Sequence, residues 1–260
     1  KCWRGASTPL TECEQKGSEM SITFVDLYEI ELDMSATESD GLTWGAELEF
    51  NQSNYGWKSE FKHECRLGTY TGATLSELAE RGAIRMTTDG PNYEIHFAPQ
   101  RSPQDLIDLV STVWALFAEL GVDWGSSEES GMHVHVGGLG YRNDVRSAYT
   151  DFLWPFLNLN RKCIYRLSRR ESAAWRDWCL IGFSPSLTVD SKGNAVTWNA
   201  STGGTLEFRL WECPRCPDDV RAAVGITEAL TAILNGHEVG DWEEFMELTG
   251  VGLDYFEALR

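Results

Sequence analysis

Acidic, imidazole and guanidinium side chains recur at alternate positions in four short segments of the chain. The segments span 45–50, 93–97, 132–136 and 205–210. Because side chains of a β-strand alternate between its two faces, each segment predicts a strand with charged groups on one face and apolar groups on the other. A half-buried sheet whose polar face lines a cleft has this pattern. We therefore expect the polar face of this sheet to be the functional site.

The charged groups on that face are mostly carboxylates. If the four strands are neighbours, Glu47, Glu49, Glu94 and Glu207 converge. Like charges about 4 Å apart repel by roughly 1 kcal/mol in water and by several kcal/mol in a cleft of lower dielectric. Arg209 alone cannot neutralise four carboxylates, so the pattern predicts bound divalent cations or raised carboxyl pKa values. Oxygen-rich ligation with one imidazole favours Mg²⁺ or Mn²⁺, and two such ions suit a polyphosphate such as ATP.

Each of these patterns also has an ordinary explanation. A Glu-x-Glu pair is most often a solvated strand face, and an arginine two residues after a glutamate is most often a surface ion pair worth under about 1 kcal/mol. A His-x-His pair occurs on strands that bind nothing. The joint occurrence favours a site, because all four segments keep the same polarity of faces. Glycines at 131, 137, 138, 203 and 204 flank two of the segments and permit close backbone approach.

Helical periodicity predicts the elements that position these strands. Segments 75–81, 102–121, 144–170 and 217–236 are predicted helices, and those at 102–121 and 217–236 are amphipathic. Ser102 is a predicted N-cap, Pro155 is expected to kink or split the third helix, and Phe152 and Leu153 are expected to be buried. Segment 188–198 has the turn residues of a hairpin arm. Strands alternating with single helices, and hairpin-like turns between some strands, predict an α+β fold with a mostly antiparallel sheet.

Composition limits the function classes. The chain has 260 residues and a formal net charge of −18, which repels nucleic-acid phosphates and anionic lipid. It contains no apolar run of the roughly 20 residues that a membrane helix needs, and its N-terminus does not resemble a signal peptide. We expect a soluble, cytoplasmic protein that binds neither nucleic acid nor membrane. Cys213 and Cys216 have zinc-ligand spacing, and both a zinc site and two ordinary thiols stay open as interpretations.

Three of the segments resemble the signature strands of the glutamine-synthetase-like carboxylate-amine ligases. They are Gly45-Ala-Glu47-Leu-Glu49, Gly131-Met-His133-Val-His135-Val-Gly137 and Gly204-Thr-Leu-Glu207-Phe-Arg209. Within that superfamily, Trp198-Asn199 followed by residues 204–210 is most similar to the amidoligase family, whose members are related to the glutamate-cysteine ligases. The similarity runs from about residue 43 to about residue 235.

The resemblance implies a curved, mostly antiparallel sheet with helices packed on its apolar face. It also implies ATP-dependent joining of a carboxylate to an amine through an acyl phosphate. By match to the family pattern, one Mg²⁺ is held by Glu49 and Glu94, and the other by Glu47, His133 and Glu207. The substrates are expected to be a small-molecule or peptide carboxylate and an amine.

The resemblance further assigns the cations of the site. Arg209, with Glu207 beside it, is expected to stabilise charge on the transferring phosphoryl group. His135 is expected to lie beside the nucleotide phosphates. Further phosphate and carboxylate contacts are expected from a basic cluster that consists of Arg166, Arg169 and Arg170.

Residues 41–260 are expected to form the ligase-like catalytic domain. Residues 1–40 match nothing in the family and are expected to wrap the surface as an N-terminal extension. Two other functions stay open. One is a ligase-fold protein without turnover that serves as a structural or partner-binding component of a larger assembly. The other is a zinc hydrolase that uses His133, His135 and a glutamate.

Overall fold

A seven-stranded sheet forms the centre of the computed structural model, which describes residues 31–38, 40–51, 75–89, 92–119, 130–170, 180–182, 185–191, 193–200, 203–251 and 255. The strands are β1 (Thr43–Asn51), β2 (Ile84–Asp89), β3 (Asn92–Phe97), β4 (Gly131–Gly137), β5 (Thr188–Val189), β6 (Val196–Asn199) and β7 (Thr205–Glu212). Their order is β2-β3-β1-β4-β7-β6-β5. All neighbours are antiparallel except β5 and β6. The predicted α+β class and mostly antiparallel sheet are confirmed.

The described residues form seven α-helices. They are α1 (Leu75–Glu80), α2 (Pro103–Glu119), α3 (Arg142–Ala148), α4 (Trp154–Leu159), α5 (Arg161–Leu167), α6 (Pro217–Leu234) and α7 (Trp242–Leu248). Of these, α2 and α6 begin where the sequence punctuation predicted. A 3₁₀ turn spans Ser35–Glu38 and a π-helical turn spans Tyr149–Leu153. The Asp105 N–H donates to Ser102 Oγ at 3.1 Å, which confirms the predicted N-cap of α2. No described helix has both the length and the hydropathy to cross a membrane.

One continuous core lies between the apolar face of the sheet and two long helices. Helices α2 and α6 pack against each other and against β1 and β4. The buried stripe of α2 includes Val110, Val113 and Phe117, which contact the same core as Leu48 and Val134 of the sheet. Because the apolar face is covered in this way, the opposite, polar face of the strands is left for the site.

The segment predicted as a helix at 144–170 is divided into several pieces. Pro155 is the second residue of α4, directly after the π-helical turn, and lies where the predicted helix is divided. The expected burial of Leu153 is confirmed, but that of Phe152 is wrong, since its side chain is 50% exposed. Both residues lie in the π-helical turn, whose extra residue shifts the positions that face the core. The helical part ends at Leu167 rather than at 170.

The predicted hairpin arm at 188–198 is also wrong. Strands β5 and β6 are parallel, with Thr188 opposite Thr197 and Val189 opposite Trp198. Asp190 adopts a left-handed φ of 46° directly after β5, so the chain leaves the sheet there and returns in the same direction. The turn-forming residues predicted that β5 and β6 would run in opposite directions, as in a hairpin. The two strands are neighbours, but they run in the same direction.

Of the N-terminal extension predicted at 1–40, residues 31–38 and 40 are described and the others lie outside the described residues. The Asp33 N–H donates to the carbonyl oxygen of Gly82 at 2.9 Å. This end of the extension therefore contacts the turn between α1 and β2, which lies within the predicted catalytic domain.

Candidate metal centre

Strand register brings charged residues of the four predicted segments onto one face. Glu47 in β1 lies between His96 of β3 and His133 of β4. His135 in β4 lies opposite Glu207 of β7. Since residues paired directly across neighbouring strands project to the same side of a sheet, these side chains share the polar face. The strands that carry them, β3, β1, β4 and β7, are consecutive neighbours in the sheet.

Glu47 is the centre of this cluster. Its Oε1 lies 3.2 Å from His96 Nδ1 and 3.3 Å from His135 Nε2, and its Oε2 lies 3.4 Å from His133 Nδ1. Burial raises the pKa of this carboxyl, but the charge of His135 and hydrogen bonds from all three imidazoles outweigh burial and hold the pKa well below its usual value. Glu47 is therefore an ionised ligand candidate with imidazoles around both oxygens.

His96 is a site residue that the sequence analysis missed. Its Nε2 lies 3.3 Å from Glu94 Oε2 and 2.6 Å from Thr87 Oγ1, while its Nδ1 faces Glu47. Burial lowers the pKa of His96, but hydrogen bonds and charges from Glu47 and Glu94 raise it to about 9. The signal was present in the sequence, because His96 follows Glu94 by two residues and therefore shares its strand face.

Glu207 is held from several directions. Arg209 Nη1 donates to Glu207 Oε1 at 2.5 Å, and His133 Nδ1 lies 3.3 Å from the same oxygen. Asn199 Nδ2 donates to Glu207 Oε2 at 3.3 Å. The other guanidinium nitrogen of Arg209 lies 4.0 Å from Glu49 Oε1, and His133 Nε2 lies 3.6 Å from Glu49 Oε2. Arg209 and His133 thus link the Glu207 and Glu49 sides of the site.

A β-bulge in β7 shapes this part of the polar face. Between the pairs Met132–Trp211 and Val134–Phe208, β7 has one residue more than β4. The bulge lets Leu210 and Trp211, which are adjacent in sequence, both be buried. The strict alternation predicted from the sequence therefore holds from Thr205 to Leu210 and breaks directly after it.

Glu47, His135 and Glu207 are a candidate ligand set for a single divalent ion, because one ligand atom of each lies within 4.8 Å of the others. In an octahedral Mg²⁺ site with bonds of about 2.1 Å, opposite ligands lie about 4 Å apart, so these three atoms would have to move closer together to bind one ion. His135 Nε2 is buried and has no hydrogen-bond partner among the described residues, although it faces Glu47. His135 Nδ1 lies 3.4 Å from Thr205 Oγ1, a contact that orients the ring with Nε2 toward Glu47.

The structure arranges the two predicted ligand sets differently. Glu47, His133 and Glu207 form one group with contacts of 3.3 and 3.4 Å. Glu49 and Glu94 are direct register partners across β1 and β3. His96 on the Glu94 side, together with His133 and His135, raises the number of imidazoles in the site to three. Mn²⁺ accepts imidazole more readily than Mg²⁺ does, so the donor set fits Mn²⁺ at least as well.

The predicted basic cluster is spread over different surroundings. Arg170 is buried, donates to the Trp211 carbonyl oxygen and approaches Glu49 beside Gly131. Arg169 is instead paired with Asp219 at the start of α6. Arg166 lies in the last turn of α5, and its carbonyl oxygen accepts a hydrogen bond from the Arg169 N–H at 3.0 Å.

The Cys-x-x-Cys pair lies at the junction between β7 and α6. Cys213 is buried, which raises the pKa of its thiol well above the usual value, and Cys216 is the N-cap of α6. Neither thiol belongs to a metal-ligand group in the part of the chain that the structure describes. Other residues that could complete a zinc site there, such as Cys2, Cys13, Cys65 and Cys179, lie outside the described residues.

Comparison with known proteins adds no family assignment. The chain matches no protein-family model. It also matches no curated protein in a sequence search. The likeness to carboxylate-amine ligases therefore rests on the motif residues of the sequence alone.

Proposed function

We propose that the protein is an ATP- and Mg²⁺-dependent carboxylate-amine ligase of the amidoligase type, with a glutamine-synthetase-like fold and a cytoplasmic location. The observation that carries the proposal is the shared polar face. Four glutamates, three histidines and Arg209 lie together on four neighbouring strands. Three of these strands carry the motifs that resemble the signature strands of that superfamily. Mn²⁺ is the alternative ion.

The proposed reaction has two steps. A carboxylate oxygen of one substrate attacks the γ-phosphorus of ATP, the bond to ADP breaks, and an acyl phosphate forms. The amine nitrogen of the second substrate then attacks the acyl carbon, inorganic phosphate leaves, and the amine proton is lost to solvent or a base. The product is an amide or peptide-like bond.

Different residues of the polar face have different roles in the proposed reaction. When bound, divalent ions would neutralise the carboxylates and the phosphate oxygens. Glu207 fixes the guanidinium of Arg209 through a charge-assisted hydrogen bond of 2.5 Å, so that the cation is preorganised for charge on the phosphoryl group. His133 and Asn199 in turn hold Glu207. His135, on the Glu47 side, would lie where the metal and the nucleotide phosphates meet.

Calorimetry with Mg²⁺ and a non-hydrolysable ATP analogue, from low micromolar to millimolar concentrations, tests the proposal. We expect wild-type protein to bind, and Glu49→Gln and Glu207→Gln to lose that binding. Glu228→Gln is the matched control, because this carboxylate is exposed on α6, away from the polar face. ADP and phosphate release with pooled carboxylates and amines would then identify the substrates. Absence of nucleotide binding with Mg²⁺ present would contradict the proposal.

The third imidazole favours one other candidate, a zinc-dependent hydrolase. His96, His133 and His135 all approach Glu47, and zinc prefers nitrogen ligands more than Mg²⁺ does. Metal analysis of purified protein separates the two functions. Stoichiometric zinc, with chelator-sensitive hydrolysis in the absence of ATP, would favour the hydrolase and overturn the ligase.

A further inference from the structure

Glu49 and Glu94 are the two residues that the family resemblance assigns to a second divalent ion. They lie directly opposite each other in the neighbouring strands β1 and β3. Residues paired in this way have Cβ atoms about 5 Å apart, so the two side chains could share an ion only if their carboxylates turned toward each other. The direction in which each carboxylate turns therefore decides whether this pair can hold a metal.

The carboxylate of Glu49 turns away from β3. Its Oε2 lies 3.6 Å from His133 Nε2 in β4, and its Oε1 lies 4.0 Å from a guanidinium nitrogen of Arg209 in β7. A Cβ atom built on Gly131, which also belongs to β4, would lie 3.4 Å from Glu49 Oε2. Strands β4 and β7 are on the side of β1 opposite to β3. Both oxygens of Glu49 are therefore directed away from Glu94.

The carboxylate of Glu94 turns in the other direction, toward the edge strand β2. Its Oε2 accepts a hydrogen bond from Thr87 Oγ1 at 3.1 Å and lies 3.3 Å from His96 Nε2. Thr87 is the register partner of Glu94 in β2, and its Oγ1 also lies 2.6 Å from His96 Nε2. The three side chains thus form one hydrogen-bonded unit. The predicted ligand pair does not converge on a common ion.

A different group of side chains has the geometry of a metal site. In the part of the chain that the structure describes, Glu47, His135 and Glu207 form a group whose ligand atoms all lie within 4.8 Å of one another, and we call them the metal group. His135 is only 7% exposed, and its Nε2 has no hydrogen-bond partner among the described residues. A buried polar atom without a hydrogen bond calls for an explanation, and a metal ion between this imidazole and the two carboxylates supplies one.

His96 connects the Glu94 unit to the metal group. Its Nδ1 lies 3.2 Å from Glu47 Oε1, and the same carboxylate oxygen lies 3.3 Å from His135 Nε2. Outer residues that hydrogen-bond to a ligating carboxylate orient it and affect the affinity for the metal. Because Glu94 and Thr87 contact one nitrogen of His96 and Glu47 contacts the other, the unit can fix the orientation of Glu47.

We propose that the chain binds one divalent ion, at the metal group, and that Glu94 holds His96 against Glu47 instead of holding a second ion. The inference departs from the two-ion arrangement that the family resemblance implies. It rests on the proposed function only for the task of the ion in nucleotide binding, since the number of ions can be measured without nucleotide.

Titration of chelator-treated protein with Mn²⁺ alone, followed by electron paramagnetic resonance, measures the number of ions. High ionic strength weakens non-specific binding to the acidic surface. We expect wild type and the surface control Glu228→Gln to bind one Mn²⁺ per chain, with the spectrum of an isolated ion. Glu94→Gln should also bind one, on the order of tenfold more weakly, because a residue that orients a ligand is changed and not a ligand. Two Mn²⁺ per wild-type chain would overturn the inference, and loss of one of them in Glu94→Gln would assign Glu94 as a ligand.

A variant that leaves every charge in place tests the orienting role. Thr87→Val removes only the hydroxyl that contacts Glu94 and His96, and it should weaken Mn²⁺ binding several-fold. In a His96→Ala background the same change should have no effect, because the connection to Glu47 is then absent. An equal effect of Thr87→Val in both backgrounds would overturn the orienting role. Thermal unfolding of each metal-free variant detects any general loss of structure.

Mn²⁺ binding without nucleotide separates this inference from the proposed function. Wild type that binds one Mn²⁺ but no ATP analogue would contradict the ligase and would support the inference. Wild type that binds two ions together with the analogue would overturn the inference and would leave the ligase in place. Wild type that binds no Mn²⁺ would overturn the inference.

Discussion

Arg209 offers the sharpest test of catalysis at a single residue. Its contacts with Glu207 and Glu49 make it a counter-ion in the metal-free protein, but bound ions would take over that neutralisation. We therefore expect Arg209→Ala to bind Mg²⁺ and ATP nearly normally and to lose on the order of 10²-fold in turnover. Arg209→Lys should restore little, because a point charge does not reproduce the planar guanidinium.

Separate measurement of kcat and of nucleotide affinity decides between the two interpretations of Arg209. Near-normal turnover of Arg209→Ala at saturating Mg²⁺ would contradict a catalytic contribution. Lower stability of metal-free Arg209→Ala that Mg²⁺ restores, without any loss of turnover, would instead assign Arg209 as a counter-ion only.

His96 gives the metal-free protein a specific pH dependence. Glu47 and Glu94 raise its pKa to about 9, above the ordinary value of 6.5, so the protonated ring stabilises the folded state. A raised pKa contributes stability that is fully present below pH 6.5 and is lost as the pH rises through about 9. We expect the free energy of unfolding of chelator-treated protein to fall over this range. His96→Gln should flatten the fall, and an NMR titration midpoint near 6.5 would contradict the expectation.

Among the elements, α2 provides a change that should affect stability alone. Ser102 Oγ accepts the Asp105 N–H and donates to Asp105 Oδ2 at 2.7 Å, so the residues at both ends of the first turn are linked. Ser102→Ala should lower the free energy of unfolding by about 1 kcal/mol. Nucleotide and metal binding should be unchanged, since α2 packs on the apolar face. Ser102→Asp, which can also cap, is the matched control and should retain most of the stability.

The elements also show where sequence patterns were sufficient. The period of two located β1, β3, β4 and β7, because each has one face in the core and one in the site, and caps located α2 and α6. The bulge in β7 was not predictable, since one extra residue leaves the alternation intact up to Leu210. The parallel pairing of β5 and β6 depends on contacts between distant segments and not on the turn residues between them.

The sequence predicted the residues on the polar face of the candidate site but not the contacts made by arginines from other elements. Residue type and strand face were enough to place the glutamates and histidines on one polar face, whereas the grouping of Glu47, His133 and Glu207 came from the family resemblance. They did not show that Arg169 closes a helix in a left-handed conformation and turns toward Asp219, because glycine is the residue that signals such an ending. Local patterns indicate which side chains share a face, whereas partners from distant elements determine where an arginine points.

At the scale of the whole molecule, the net charge of −18 makes the carboxylate cluster a destabilising feature in the absence of cations. Any ion that binds the folded state and not the unfolded chain stabilises it by mass action, by about 2.7 kcal/mol at one hundred times the dissociation constant. Screening by salt also weakens repulsion between surface charges, but it does not depend on the identity of the ion. Specific binding and screening therefore predict different results for the same chain.

We expect Mn²⁺ or Mg²⁺ to raise the melting temperature of the chelator-treated protein by roughly 5 to 10 °C at saturation. NaCl at equal ionic strength should raise it much less, because screening cannot replace ligation. In Glu47→Gln, the divalent ions should raise the melting temperature no more than NaCl does, since Glu47 contacts all three imidazoles of the site. Glu228→Gln removes one negative charge from the exposed side of α6 and should respond to the metals as wild type does. Equal shifts with NaCl and with Mg²⁺ or Mn²⁺ would show that the cluster is a screened acidic face and would remove the metal centre on which the ligase proposal depends.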